Sequence, residues 1–136
     1  MIPTPAADPR PTPLAQPFWD GCARRALVLQ RCADCPRYIH FPKERCPTCR
    51  SDRLTWEEVP ATGTLATFTE VHRTFAPGFE EQVPYVVGVA ELDVQAGLRI
   101  VANVADPVAT LSLGAPVVVG FAERPGFGLV PTLTLT

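Results

Sequence analysis

Residues 30–50 read QRCADCPRYIHFPKERCPTCR, and they place two C-x2-C pairs, Cys32/Cys35 and Cys46/Cys49, on either side of ten intervening residues. A C-x2-C turn sets two sulfurs on one side of a loop, and a second such loop completes four ligands once the segment between them folds back. Four soft thiolates in tetrahedral array suit zinc. The four cysteines are therefore the candidate ligands of one structural Zn2+ ion in a closed site with no position left for water or substrate. Rubredoxin-type iron uses the same ligands, but an electron carrier would leave most of this chain without a role. Tyr38–Phe41 reads as a short strand between the pairs and Leu54–Val59 as another after them, which is the layout of a rubredoxin-like zinc ribbon over residues 31–58. Such turns favour glycine directly after the second cysteine, where the backbone takes a positive φ. Here Pro36 and Arg50 hold those places. Proline, with its φ locked at about −65°, is expected not to adopt a positive φ, so the first knuckle is expected to turn differently while keeping its metal.

Upstream, six of the sixteen prolines fall in the first seventeen residues, and residues 1–16 read as a flexible proline-rich tail. Residues 17–30 read as a helical segment: Asp20 is a candidate cap, and Ala23, Arg24, Arg25, Ala26 and Leu27 are good helix formers. Phe18 and Trp19 are packing residues. Downstream, from residue 59 to 136, the texture changes to short strands set off by turn signals. The strands are expected at Gly63–Arg73, Pro84–Asp93, Leu98–Val104, Pro116–Ala122 and Gly128–Thr134. Ala76-Pro77-Gly78, Gln95-Ala96-Gly97 and Arg124-Pro125-Gly126 form the breaks, and a helical turn falls within Asp106–Leu111. This mainly β pattern fits a five-stranded Greek-key barrel of the OB type. Val86, Val87 and Val89, like Val117, Val118 and Val119, make strands apolar on both faces, so part of the outer surface should be covered by the ribbon and helix or by a partner protein.

Composition narrows the function. Hydrophobic residues make up 46% of the chain and charged ones 19%, enough for a real core. Residues 1–53 hold nine of the twelve basic groups against five acids, a formal +4, and residues 54–136 hold three against nine, a formal −6. No secretory signal or membrane-spanning run is evident, which points to the cytoplasm, where thiols stay reduced. Cys22, outside the pairs, reads as a buried or idle thiol. His40 lies between the pairs as a spare ligand to a sphere that four cysteines already complete. His72 suits a surface or a partner contact. Glu57-Glu58 and Glu80-Glu81 are neighbours on extended chain, pointing to opposite faces, and form no acid–base dyad. There is no phosphate-cradling glycine loop, nucleophile elbow or dinucleotide fingerprint, so no catalytic residue is assigned.

An ordered set of segments carries a family resemblance: Phe18-Trp19, Gln30-Arg31-Cys32 to Cys35, Phe41-Pro42, Cys46-Pro47-Thr48-Cys49, Gly63-Thr64, Phe68-Thr69, Pro84-Tyr85-Val86-Val87 and Glu91-Leu92. Over residues 17–131 the chain resembles the DUF35 family, zinc-ribbon plus OB-fold proteins of acyl-CoA metabolism. The resemblance implies a non-catalytic accessory subunit that associates with a thiolase, a MaoC-like enoyl-CoA hydratase or a CoA-linked aldolase, in lipid or steroid metabolism, and that helps to bind the acyl-CoA. The four cysteines match the family's metal ligands residue by residue, and no catalytic residue carries over. Two departures are Pro36 in place of the usual glycine and the ending LVPTLTLT, which lacks the aromatic-proline close. Arg31, Arg37, Lys43, Arg45, Arg50 and Arg53 are candidates for CoA phosphate contact.

Two rival functions follow from the same residues. Zinc ribbons and OB-folds also bind single-stranded nucleic acid, but the barrel half has only Arg73, Arg99 and Arg124 as basic groups, a poor match to the basic, aromatic groove that strands require. A free-standing acyl-CoA enzyme would have only His40, His72, Cys22 and scattered acids to work with.

Overall fold

Pro17 has a φ suited to a helix and lacks the N–H that a first helical turn leaves unbonded, so it starts a helix well. In the computed structural model, which describes residues 11–74, 78 and 82–136, that helix is α1 (Gln16–Ala23). Its entry turn is closed by the Ala15 N–H, which donates to the carbonyl and hydroxyl oxygens of Thr12 at 3.0 and 3.2 Å. Asp20 is not the cap expected from the sequence: its carboxylate sits inside the helix and accepts from Gln16 Nε2 at 2.9 Å. Nor does the helix reach Leu27. Arg25 takes a left-handed φ of 57°, and the chain then enters strand β1 (Val28–Cys32). Burial of Leu27 and Leu29 and a five-residue ladder to β3 (Leu54–Glu58) outweigh the helix propensity of Ala23–Leu27. Gly21 lets the helix approach this strand, since a Cβ there would lie 2.7 Å from Val28 Cγ2.

With β2 (Tyr38–Ile39) on its other side, β1 is the centre of a three-stranded antiparallel sheet. Both cysteine turns have one form. Cys32 N–H donates to the Arg37 carbonyl and Cys46 N–H to the Ser51 carbonyl, each at 2.9 Å and each five residues on. The residue after the second cysteine has positive φ in both, 64° at Arg50 and 26° at Pro36. This corrects the expectation that Pro36 would turn differently. The shared hydrogen-bond frame imposes the turn, and the pyrrolidine ring holds Pro36 at the near edge of the left-handed region, under strain.

The remaining strands are β4 (Thr62–Val71), β5 (Tyr85–Leu92), β6 (Arg99–Val104), β7 (Pro116–Arg124) and β8 (Gly128–Leu135). They close a barrel in the order β4-β5-β6-β8-β7, with a 3-10 turn at Val108–Thr110 between β6 and β7. This is the expected OB-type barrel. Ala76, Pro77, Glu80 and Glu81 lie outside the described residues. On β5, Val86, Gly88, Ala90 and Leu92 point inward; at Gly88 a Cβ would come within 2.6 Å of Val104 Cγ2, so the narrow interior has no room for a side chain. Phe18, Cys22, Leu27 and Leu29 pack in one continuous core with Leu65, Ile100, Val117 and Leu133. Helix and ribbon therefore cover part of the barrel. The outward Val87 and Val89 remain half-buried, and Val101 is exposed.

His40 closes the seam between helix and ribbon. Its ring lies 5.3 Å from that of Phe18 and 4.7 Å from that of Phe41, and its shielded Nδ1 has no hydrogen-bond partner among the described residues. Burial pushes its pKa down to about 4. An unfolded histidine takes up its proton near pH 6.5; the folded one resists until about pH 4, so stability falls as the pH drops through that window.

Two outcomes follow. Pro36→Gly should raise the stability of the metal-loaded protein by about 1 kcal/mol, because the strain relieved exceeds the added freedom of the unfolded chain. This would be read as a higher urea midpoint at unchanged slope, and a lower midpoint would contradict it. His40→Phe should lose less stability than the parent between pH 7.5 and pH 5, by about 1–2 kcal/mol. Parallel losses in the two proteins would remove His40 as the cause.

Candidate metal centre

The sheet and its two turns deliver the four cysteines to one point. Cys32 ends β1, Cys35 follows on the first turn, and Cys46 and Cys49 lie on the turn between β2 and β3. Their sulfurs all lie within 4.8 Å of one another. Across the two turns, Cys32 and Cys49 approach to 3.5 Å and Cys35 and Cys46 to 3.4 Å. Tetrahedral zinc with bonds of about 2.3 Å needs sulfurs about 3.8 Å apart, so spacing and donor type both fit a closed zinc site. Backbone N–H groups aim at the same sulfurs: Cys35 N–H donates to Cys32 Sγ and Thr48 N–H to Cys46 Sγ, each at 3.4 Å. Cys32 and Cys46 are buried, Cys35 is half-buried and Cys49 is exposed. Among the described residues, Ile39 is buried in this cluster and Leu54 packs half-buried against it.

Polar clasps set the two turns against each other. Asp34, between the first two cysteines, accepts from the Ser51 hydroxyl and from Arg53 Nη1, the latter at 3.0 Å, beyond the second pair. Gln30, only 2% exposed, holds both backbone groups of Lys43: Nε2 donates to its carbonyl and Oε1 accepts from its N–H, each at 2.8 Å. Gln95, on the β5–β6 hairpin, does the same for Tyr38 at 3.1 and 2.8 Å. None of the three was given this role from the sequence, where Gln30 appears only within a family segment and Gln95 only within a turn. The readable signal was a lone glutamine in the apolar run Leu27–Gln30; nothing comparable marks Asp34 or Gln95.

The other candidates are dispersed. His40 packs on Phe18, away from a ligand role. Cys22 is fully buried, and burial pushes its thiol up to about 11, well outside the reactive range. His72 is exposed and faces Glu70 at 2.6 Å. Glu57 accepts from Arg31 at 2.8 Å and from the Tyr38 hydroxyl at 3.2 Å. Of the basic candidates, Arg31 and Arg53 are therefore engaged in ion pairs. Arg37, Lys43, Arg45 and Arg50 are exposed, and Arg45 donates to the Arg50 carbonyl at 3.2 Å.

Comparison with known proteins agrees with this architecture. Residues 19–55 match the family model of the ChsH2 rubredoxin-like zinc ribbon domain, and residues 56–122 that of the ChsH2 C-terminal OB-fold domain. A probable enoyl-CoA hydratase alpha subunit of Thermomonospora curvata is 36% identical over 122 residues, 87% of this chain and 35% of that protein. A DUF35 domain-containing scaffold protein of Methanocaldococcus jannaschii is 37% identical over 87 residues, 61% of this chain and 57% of the relative. The chain thus spans about a third of the first relative and just over half of the second. Among solved structures, a chain of the Ltp2–ChsH2(DUF35) aldolase superposes with a TM-score of 0.82 at 29% identity, covering 94% of this chain and 98% of that one. A DUF35 protein of Sulfolobus solfataricus shares the fold, with a TM-score of 0.61 at 11% identity over 91% and 86% of the two chains. From its ribbon, its barrel and these relatives, the chain belongs to the DUF35 family, in the ChsH2 form that joins a rubredoxin-like zinc ribbon to an OB-fold.

Proposed function

We propose that Cys32, Cys35, Cys46 and Cys49 hold one structural zinc ion, and that the chain is a non-catalytic accessory subunit of an acyl-CoA-processing enzyme. The observation that carries this reading is the likeness, along nearly the whole of both chains, to a chain of the Ltp2–ChsH2(DUF35) aldolase. The names of the two relatives, a hydratase subunit and a scaffold protein, point the same way. Of the three enzyme classes that the resemblance suggests, aldolase and hydratase thus have support from relatives, and thiolase rests on the resemblance alone. In this reading residues 1–16 are a tail, residues 17–30 brace the fold, residues 31–58 dock and residues 59–136 bind. The cytoplasm is the proposed location; no helix among the described residues is long and apolar enough to cross a membrane.

Physical chemistry supports the division of labour. A four-thiolate site leaves no coordination position open for substrate. On the barrel, the outer face of β5 and β6 is the surface that OB-folds commonly use for ligands. Here it carries Val87, Val89 and Val101, with Thr67 and Thr69 paired alongside on β4. Glu91 and Arg99, 3.6 Å apart, cap its end. A face of three valines with Asn103 and two threonines beside them, and one ion pair at its end, suits a protein surface or an acyl chain better than phosphates. This counts against the nucleic-acid reading.

Co-expression with a hydratase or aldolase encoded beside the gene, followed by native mass spectrometry and metal analysis, should return a defined complex with one zinc per copy of this chain. Val101→Glu should weaken that complex at least tenfold while zinc content stays at one. A zinc-loaded chain that ignores every such enzyme would contradict the accessory role. Chelation or Cys46→Ser should abolish hydrogen-exchange protection in residues 32–51 and spare the barrel strands, because structural zinc supplies about 10–16 kcal/mol to such units. Protection that survives metal removal would contradict a structural role.

A further inference from the structure

The four sulfurs are not equivalent. Cys32 Sγ accepts from the Cys35 N–H and Cys46 Sγ from the Thr48 N–H, each at 3.4 Å. Such an N–H bond draws electron density from a thiolate and makes it a weaker nucleophile. Accessibility divides them in the same sense: Cys32 and Cys46 are each 1% exposed, while Cys49 lies open to solvent. Cys49 is also followed by the exposed Arg50, whose carbonyl anchors the guanidinium of Arg45. Across the turn, the sulfur of Cys32 waits 3.5 Å away. An accessible thiolate beside a second thiolate, with an exposed arginine next in the chain, is the arrangement of redox-sensitive cysteines.

We propose that Cys49, with Cys32 as its resolving partner, is a peroxide-reactive site whose oxidation ejects the metal. The inference rests on the zinc-loaded ribbon proposed above. In the first step the Cys49 thiolate attacks one peroxide oxygen; an S–O bond forms, the O–O bond breaks, and hydroxide leaves to take a proton from solvent. In the second, the Cys32 thiolate displaces hydroxide from the Cys49 sulfenic acid, and an S–S bond replaces the S–O bond. Two thiolates are oxidised by two electrons in all, and one peroxide is reduced to two hydroxides. The metal keeps two of its four ligands and dissociates. The tip, with little core beyond Ile39, then loses its frame, so an oxidant would detach the ribbon from any partner it docks. Cys22 is fully buried and keeps its thiol.

The test uses the full zinc-loaded chain, with metal counted first; fewer than one zinc per chain would sink the underlying zinc reading, and this inference with it. Hydrogen peroxide is then added in small molar excess while released zinc is followed with a chromogenic chelator and the cysteines are mapped by mass spectrometry. One zinc should leave for every two thiols lost, with a Cys32–Cys49 linkage as the first disulfide, dimedone trapping at Cys49, and Cys22 unmodified. Arg50→Asn, which tolerates the left-handed φ, should slow release by about 3- to 10-fold. Zinc retained while Cys22 oxidises, first labelling at Cys32 or Cys46, a Cys35–Cys46 linkage as the first product, or equal rates in Arg50→Asn and parent would each overturn the proposal.

Discussion

The convergence of four sulfurs governs the ribbon, because that segment has almost nothing else to hold it. Its tip is two tight turns and a two-residue strand around the buried Ile39, with the half-buried Leu54 against it. Ordering some twenty residues costs on the order of 20–40 kcal/mol of conformational freedom, far beyond what these two aliphatic side chains return. The cross-turn approaches of 3.4 and 3.5 Å place the thiolates where a tetrahedral ion can bind them. The Asp34–Arg53 clasp and the double contact of Gln30 with Lys43 then fix the two turns at the right offset. Even the strained backbone of Pro36 follows from this demand, since its turn must match that of Arg50.

The barrel has the opposite character. Its interior is filled by Leu65, Ile100, Val117 and Leu133, and Gly88 makes way for Val104. The two parts are joined by a shared core through Leu27 and Leu29 and by the Gln95 amide, which engages Tyr38 as a neighbouring strand would. The ribbon and a barrel whose outer strip carries Val87, Val89 and Val101 are thus presented together, as suits the proposed subunit that contacts a partner along more than one surface.

Much of this was legible in the sequence for identifiable reasons. The two C-x2-C pairs state the metal chemistry directly, and short β-rich runs between turn signals mark the barrel strands; in Tyr85–Leu92, apolar on both faces, only the fold decides which side chains point inward. The helix was placed too late because Ala23–Leu27 favours helix locally, whereas pairing of Val28–Cys32 decides the outcome, and no local signal reports that pairing. The cap at Asp20 failed with it: Pro17 and the Thr12 turn set the start earlier. Pro36 misled because the ring's preference is a local rule, and the hydrogen-bond frame of the turn overrides it. Gln30, Gln95 and Asp34 bind backbone or side chains brought near by the fold, so spacing alone could not reveal them.

The most direct test of a closed, structural metal centre is X-ray absorption at the zinc edge of the purified protein. The account predicts a first shell of four sulfurs at about 2.3 Å with no lighter ligand. An oxygen or nitrogen in that shell would mean an open position at the metal, and would contradict the claim that this ion holds the ribbon together without taking part in chemistry.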